Sequence, residues 1–211
     1  MIMSEIEVKE KNIKAVIFDN HGVLTRSNSE VGYSKIAAFL SVPEEVVVTV
    51  MGRLTPFFDL GELTTDEFLE NIIRYTRAKR NLEEFKRFYT CCYEPKQEVR
   101  NLASELSKHF KVAILANAGI VFDECHKNCG FEKIFGENIF VSSKLKMMKP
   151  DKAIFAHVLK ELGVEPEEAV LIDDKEKFVE GARRIGMHAI WFKSPEQVEK
   201  DLQNILKYEY V

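Results

Sequence analysis

A doubly wound α/β fold with a helical insert is what this sequence predicts, and three features carry the prediction. Short, nearly continuous apolar runs recur at 14–19, 111–116, 138–142, 169–173 and 188–192. Amphipathic helical patterns separate several of them, and one long helical stretch, 27–95, follows the first. Polar residues stand where the runs end: Asp19, Asn117 and Asp173-Asp174. Strands buried on both faces read as unbroken apolar segments, and alternation with helices implies parallel pairing. Ligands of such sheets lie beyond the carboxyl ends of the strands, which is where those polar residues fall.

In chain order, Ala15-Val16-Ile17-Phe18 is the first strand and Asp19 ends it. Gly22, three residues on, lets the chain turn sharply away. Within the insert, Ser41-Val42-Pro43-Glu44 resembles a capping box with proline in the first turn. It predicts a helix through the β-branched run 46–50. Thr64-Thr65-Asp66-Glu67 is a second box, leading into Phe68, Leu69, Ile72 and Ile73. A crossover between parallel strands needs only about a dozen residues. The stretch 27–95 is therefore expected to be a cap subdomain overhanging the site as a lid, with 1–26 and 96–211 forming the core. Further on, Val99, Leu102, Ala103, Leu106 and Phe110 mark one helix stripe. Ile154, Phe155, Val158, Leu159 and Leu162 mark another, closed by Gly163 as a C-terminal cap.

The chain has 211 residues, enough for a full core, and its 45% hydrophobic and 30% charged residues are ordinary for a globular protein. A net charge of −4 gives no general attraction to nucleic acid or anionic lipid. Residues 1–14 are charge-rich and lack the apolar segment of a signal peptide. No window reaches the roughly 18 uncharged apolar residues of a membrane span. A cytoplasmic location is the expectation, with no nucleic acid or membrane partner and with a homodimer left open. Cysteines occur as Cys91-Cys92 and as Cys125 and Cys129 flanking His126. Zinc is conceivable at the second pair, but adjacent cysteines and the missing Cys-x-x-Cys spacing favour buried thiols.

Two acidic strand ends and Lys149, before Pro150, suit metal-assisted phosphoryl transfer. Such a site must neutralise the phosphoryl oxygens and hold a nucleophile in line. Asp19 can attack phosphorus. Asp19, a backbone carbonyl two residues on, and Asp174 can supply ligands for Mg²⁺, with Asp173 close by. Lys149 can act on Asp19 and the phosphoryl oxygens as a point charge.

The chain resembles the haloacid dehalogenase (HAD) superfamily with a helical cap after the first motif. The resemblance rests on Phe18-Asp19-Asn20-His21-Gly22-Val23-Leu24-Thr25, Ile114-Leu115-Ala116-Asn117-Ala118, Lys149-Pro150 through Phe155, and Leu171-Ile172-Asp173-Asp174 continuing to Gly181-Ala182. Asp59-Leu60-Gly61-Glu62-Leu63-Thr64 is also similar to the cap of the branch containing the phosphatase domain of soluble epoxide hydrolases. The resemblance implies a Rossmann-like core, Mg²⁺ and hydrolysis of a small phosphorylated metabolite. It makes Asp19 the nucleophile and Lys149 the residue that steadies the aspartyl-phosphate. Asp19, His21 through its carbonyl, Asp173 and Asp174 make the metal set, and Asn117 with Ala116 the substrate-contacting pair.

Three positions depart from the family pattern. His21 replaces the second aspartate, whose side chain protonates the leaving alcohol. Ala116 replaces a Ser or Thr that hydrogen-bonds the transferring group. Phe178 stands where a polar residue often supports the metal carboxylates. General acid catalysis contributes about 10²–10⁴-fold and one hydrogen-bond donor about 10²–10³-fold, against accelerations of up to ~10²¹ for this reaction class. Three readings stay open: a Mg²⁺-dependent phosphatase with His21 as acid, a catalytically impaired binding or regulatory protein, and a dehalogenase-like hydrolase.

Overall fold

The computed structural model describes residues 12–26, 32–90, 94–122 and 129–206. Five parallel strands form its sheet: β1 (Ala15–Phe18), β2 (Lys111–Ala116), β3 (Ile139–Val141), β4 (Ala169–Asp173) and β5 (His188–Trp191). Their order is β3-β2-β1-β4-β5. The chain thus builds outward from β1 to one edge, then returns to build the other side. That reversal leaves a crevice between β1 and β4, where doubly wound sheets bind ligands. Phe18 pairs with both Ile114 and Ile172. Asp19 and Asp173, each one residue further along, therefore emerge side by side.

Alternate residues of the strands feed two cores, as the two-residue period requires. Val16, Phe18, Ile114 and Ile172 pack with Val99 and Leu102 of α5 (Gln97–Leu106), and with Val198 and Leu202 of the last helix. Ile17, Leu115 and Leu171 pack on the other face against Ile154, Phe155 and Val158.

Four helices, α1 (Tyr33–Leu40), α2 (Glu44–Asp59), α3 (Thr65–Thr76) and α4 (Leu82–Thr90), lie between β1 and α5. They share a third core that includes Ile36, Met51, Leu69 and Phe85, with Phe58 stacked on Phe68 at 4.1 Å between centroids. Thr64 and Glu67 form the expected capping box, each side chain bonding the other's backbone N–H. Ser41 does not cap α2, contrary to the sequence expectation. It ends α1 in the left-handed region at φ 58°, and its hydroxyl accepts from Arg80. Extended Pro43 leads into α2 instead, and Glu44 and Glu45 place negative charge on its first turn. The β-branched run is helical because Val47 and Met51 bury one face in the insert core.

Among the described residues the remaining α-helices are α6 (Glu132–Phe135), α7 (Ser142–Leu145), α8 (Lys152–Leu162), α9 (Glu176–Arg183) and α10 (Pro195–Leu206). Gly163 closes α8 in the left-handed region, as its sequence position predicts. No described helix is long and apolar enough to cross a membrane. Cys129 is buried; Cys91, Cys92, Cys125 and His126 lie outside the described residues.

Candidate active site

Lys149 is the centre of the charged cluster. Its side chain is fully buried, and Nζ donates to Asp19 Oδ1 at 2.7 Å and to Asp173 Oδ2 at 2.6 Å. Burial acts to lower its pKa, but Asp173 and Asp19 override that and hold it above the ordinary lysine value. Asn117 fixes the same residue from behind. Its Nδ2 donates to the Lys149 carbonyl at 3.0 Å and its Oδ1 accepts from the Lys149 N–H at 2.9 Å.

Asp173 is committed on both oxygens, since Oδ1 also accepts from the Lys175 N–H at 2.9 Å. Burial pushes its carboxyl up while Lys149 pulls it down, and the net direction is up. Asp174 is different. Its Oδ1 is buried without a hydrogen-bond partner, 3.7 Å from Lys175 Nζ, and burial again raises the carboxyl. Gly22, at φ 95°, comes so close that a β-carbon there would overlap this carboxylate.

Oxygen atoms of Asp19, Asp173 and Asp174 lie within 4.8 Å of one another, the one such cluster among the described residues. These residues fit a divalent cation. Three converging carboxylates face a single buried ammonium, and one buried oxygen has no hydrogen donor, a combination that positive charge would balance.

A cavity of about 450 Å³ opens over this cluster, walled by the sheet end on one side and the helical insert on the other. Asp19, His21 and Asn117 line it, as do Lys175 and Lys177. Ala116 does not; it is fully buried in the core behind the strand end, so its place as a substrate contact is not supported. Phe178 lines the cavity, with its ring centroid 5.0 Å from Lys149 Nζ and 5.0 Å from Lys177 Nζ. An aromatic face there meets the lysine ammonium by cation–π attraction.

From the insert, Phe58 and Asp59 reach the cavity, whereas Arg53 is exposed outside its lining and Arg26 pairs with Glu94 at 3.7 Å. Burial lifts the Asp59 carboxyl to about 7, with Lys175 opposing and Asp19 adding to the rise. Ser142, at the start of α7, anchors this end of the insert: its hydroxyl donates to the Asp59 carbonyl at 2.6 Å and accepts from the Ala118 N–H at 3.0 Å. Lys146 Nζ adds a bond to the Gly61 carbonyl at 2.6 Å. The sequence reading did not single out Asp59, Lys175 or Lys177 as site residues. Asp59 preceding a glycine turn was the available signal, but its significance depends on the insert folding back.

A family model described as haloacid dehalogenase-like hydrolase matches residues 13–186. The chain is 30% identical over 189 residues to a phosphorylated carbohydrates phosphatase of Thermotoga maritima, covering 85% of this chain and 84% of that protein. It is 35% identical over 78 residues to a glyceraldehyde 3-phosphate phosphatase of Pyrococcus furiosus, covering 36% of this chain and 32% of that one. The chain spans only 13%, 32% and 20% of the length of three curated relatives that it matches, the Pyrococcus furiosus protein being the second. A solved HAD family enzyme of Bacteroides thetaiotaomicron, in complex with magnesium and inorganic phosphate, superposes with a TM-score of 0.74 at 21% identity. That likeness covers 86% of this chain and 94% of the other. With its parallel sheet, its strand-end carboxylates and a family match over most of its length, the chain belongs to the haloacid dehalogenase-like hydrolases.

Proposed function

We propose that the chain is a Mg²⁺-dependent phosphatase of small phosphate esters that works through an aspartyl-phosphate on Asp19. The observation that carries this reading is the Lys149 ammonium shared between Asp19 and Asp173 beside the buried Asp174 oxygen that accepts no hydrogen bond. Similarity to two phosphatases supports it.

Asp19, Asp174 and the His21 carbonyl would hold the ion, with Asp173 positioning Lys149. When bound, Mg²⁺ supplies positive charge against the phosphoryl oxygens. Lys149 occupies Asp19 Oδ1, which leaves Oδ2 to attack phosphorus. The new Asp19–phosphorus bond forms as the ester oxygen leaves with its electron pair. His21, which lines the same cavity, gives that oxygen a proton. Water then attacks the acyl phosphate at phosphorus and gives its proton to the deprotonated His21, freeing phosphate and regenerating Asp19 and the acid. The insert, helices α1–α4, acts as a cap that keeps bulk water from the reacting centre.

The test is a phosphate-ester panel with and without Mg²⁺, from pH 5 to 8, on wild type, Asp19→Asn and His21→Asn. The reading expects Mg²⁺-dependent phosphate release, loss of it in Asp19→Asn, and a drop of about 10²-fold or more in His21→Asn. Wild-type turnover that survives Asp19→Asn unchanged would sink it.

A further inference from the structure

We infer that the cavity above Asp19 takes the monophosphate ester of an apolar, uncharged alcohol; this rests on the phosphatase reading and names its substrate class. The cavity, about 450 Å³, is large enough for a small ligand. Its chemistry is divided. The sheet side carries the phosphate-directed groups, with Lys175 and Lys177 as the cations. The insert side presents Tyr33, Phe58, Phe68 and Tyr89 with Thr55 and Pro56, and Val121 and Phe122 continue that largely apolar wall from the segment after β2. Phe58, Phe68 and Phe122 are almost wholly buried, so these rings are fixed walls rather than surface side chains.

Among the described residues, the insert contributes no lysine, arginine or histidine to the cavity, and its one charged group there is Asp59. A substrate with a second anionic group, such as a carboxylate beside its phosphate, would meet the Asp59 carboxyl, with the lining cations Lys175 and Lys177 on the sheet side already facing its phosphate. A sugar phosphate fares poorly for another reason. Its many hydroxyls would leave water to face mainly aromatic and aliphatic groups, with Tyr33, Thr55, Tyr89 and Asp59 as the insert's polar side chains there, and unsatisfied buried polar groups are costly. A hydrocarbon leaving group loses nothing there and gains burial.

The test uses the full chain with Mg²⁺ and a matched set of monophosphates: ethyl, butyl and hexyl phosphate, 1-naphthyl phosphate, glucose 6-phosphate and phosphoglycolate. The expected result is kcat/KM rising along the alkyl series, by at most about fourfold per methylene. 1-Naphthyl phosphate should exceed glucose 6-phosphate by tenfold or more, and phosphoglycolate should rank last. Tyr33→Ser, at a half-buried wall position, should narrow the naphthyl-to-glucose ratio severalfold. A flat alkyl series, or glucose 6-phosphate as the best substrate, overturns the substrate class while leaving the phosphatase reading intact. Equal loss on both esters in Tyr33→Ser counts against it in the same way. If no ester turns over, the phosphatase reading fails and calorimetric titration decides the cavity's preference. Binding of 1-naphthylmethyl phosphonate tenfold tighter than inorganic phosphate then supports the apolar pocket, and equal affinity overturns it.

Discussion

Gly22 and Asp174 sit in van der Waals contact across the crevice between β1 and β4, leaving no room for a β-carbon on the glycine. The contact joins the turn after the first strand to the second acidic strand end. It also holds the carboxylate whose Oδ1 has no hydrogen-bond partner. Gly22→Ala must both strain a backbone at φ 95° and displace Asp174. The left-handed strain alone costs roughly 1–2 kcal/mol. The expected outcome is a lower Tm, and a Mg²⁺-induced rise in Tm much smaller than wild type's. Differential scanning fluorimetry with and without Mg²⁺ checks it. An unchanged Mg²⁺ response in the variant would show that this contact does not shape the ion site.

Among the described residues, Lys149 is the one buried ammonium between two buried carboxylates. Replacing it with methionine keeps the volume but leaves Asp19 and Asp173 facing each other without a counter-charge. Removing one partner from a buried ion pair destabilises by about 3–5 kcal/mol. Urea unfolding of Lys149→Met in EDTA should show a loss of that order, together with loss of phosphate release. A much smaller loss, below about 1 kcal/mol, would mean that the carboxylates simply protonate or hydrate.

Asn117 holds the Lys149 backbone by two hydrogen bonds, through one N–H and the oxygen of its amide. Asn117→Ala is expected to lower kcat by tenfold or more while KM changes less, because the ammonium loses its fixed position. Stability should fall by about 1–3 kcal/mol. A rise in KM with kcat unchanged would instead point to direct substrate contact.

Asp59 sets a pH dependence whose sign is fixed by its environment. Burial holds its carboxyl up to about 7, above the unfolded value of 3.8. Between about pH 4 and 7 the folded chain keeps a proton that the unfolded chain has released, so this group's contribution to stability falls as pH rises through that window. Above it, ionised Asp59 is a standing penalty. Asp59→Asn should therefore be more stable than wild type at pH 8 by about 1–3 kcal/mol, a figure reduced because the residue is not fully buried. The advantage should fade near pH 4. Urea titrations at the two pH values, in EDTA, measure the difference; equal gains at both would rule out titration of Asp59 as the cause.

Much of the architecture is written into local pattern. Apolar runs such as Ala15–Phe18 and Ala169–Asp173 must be buried on both faces, and a chain that alternates them with amphipathic helices pairs them in parallel. The carboxylates at their ends then face the ligand crevice whatever the details of packing. Thr64 and Glu67 cap a helix through neighbours three residues apart, so their role is local as well. Ser41 misled because the demand on it came from the helix behind it, which needed a left-handed exit.

The rest depends on residues far apart in the chain. Lys149 meets Asp19 across 130 positions and Asp173 across 24, distances that only sheet register and the approach of α8 decide. Asn117, expected to touch substrate, lines the cavity, and one N–H and the oxygen of its amide also bind the Lys149 backbone, a partner no motif specifies. Asp59 reaches the cavity because Ser142 and Lys146 bind the turn between α2 and α3 to the core. Short-range chemistry in the sequence chose the elements and their polar ends. Which of those ends share a proton, a charge or a cavity wall is a matter of long-range packing, since no short-range pattern encodes a contact between distant strands.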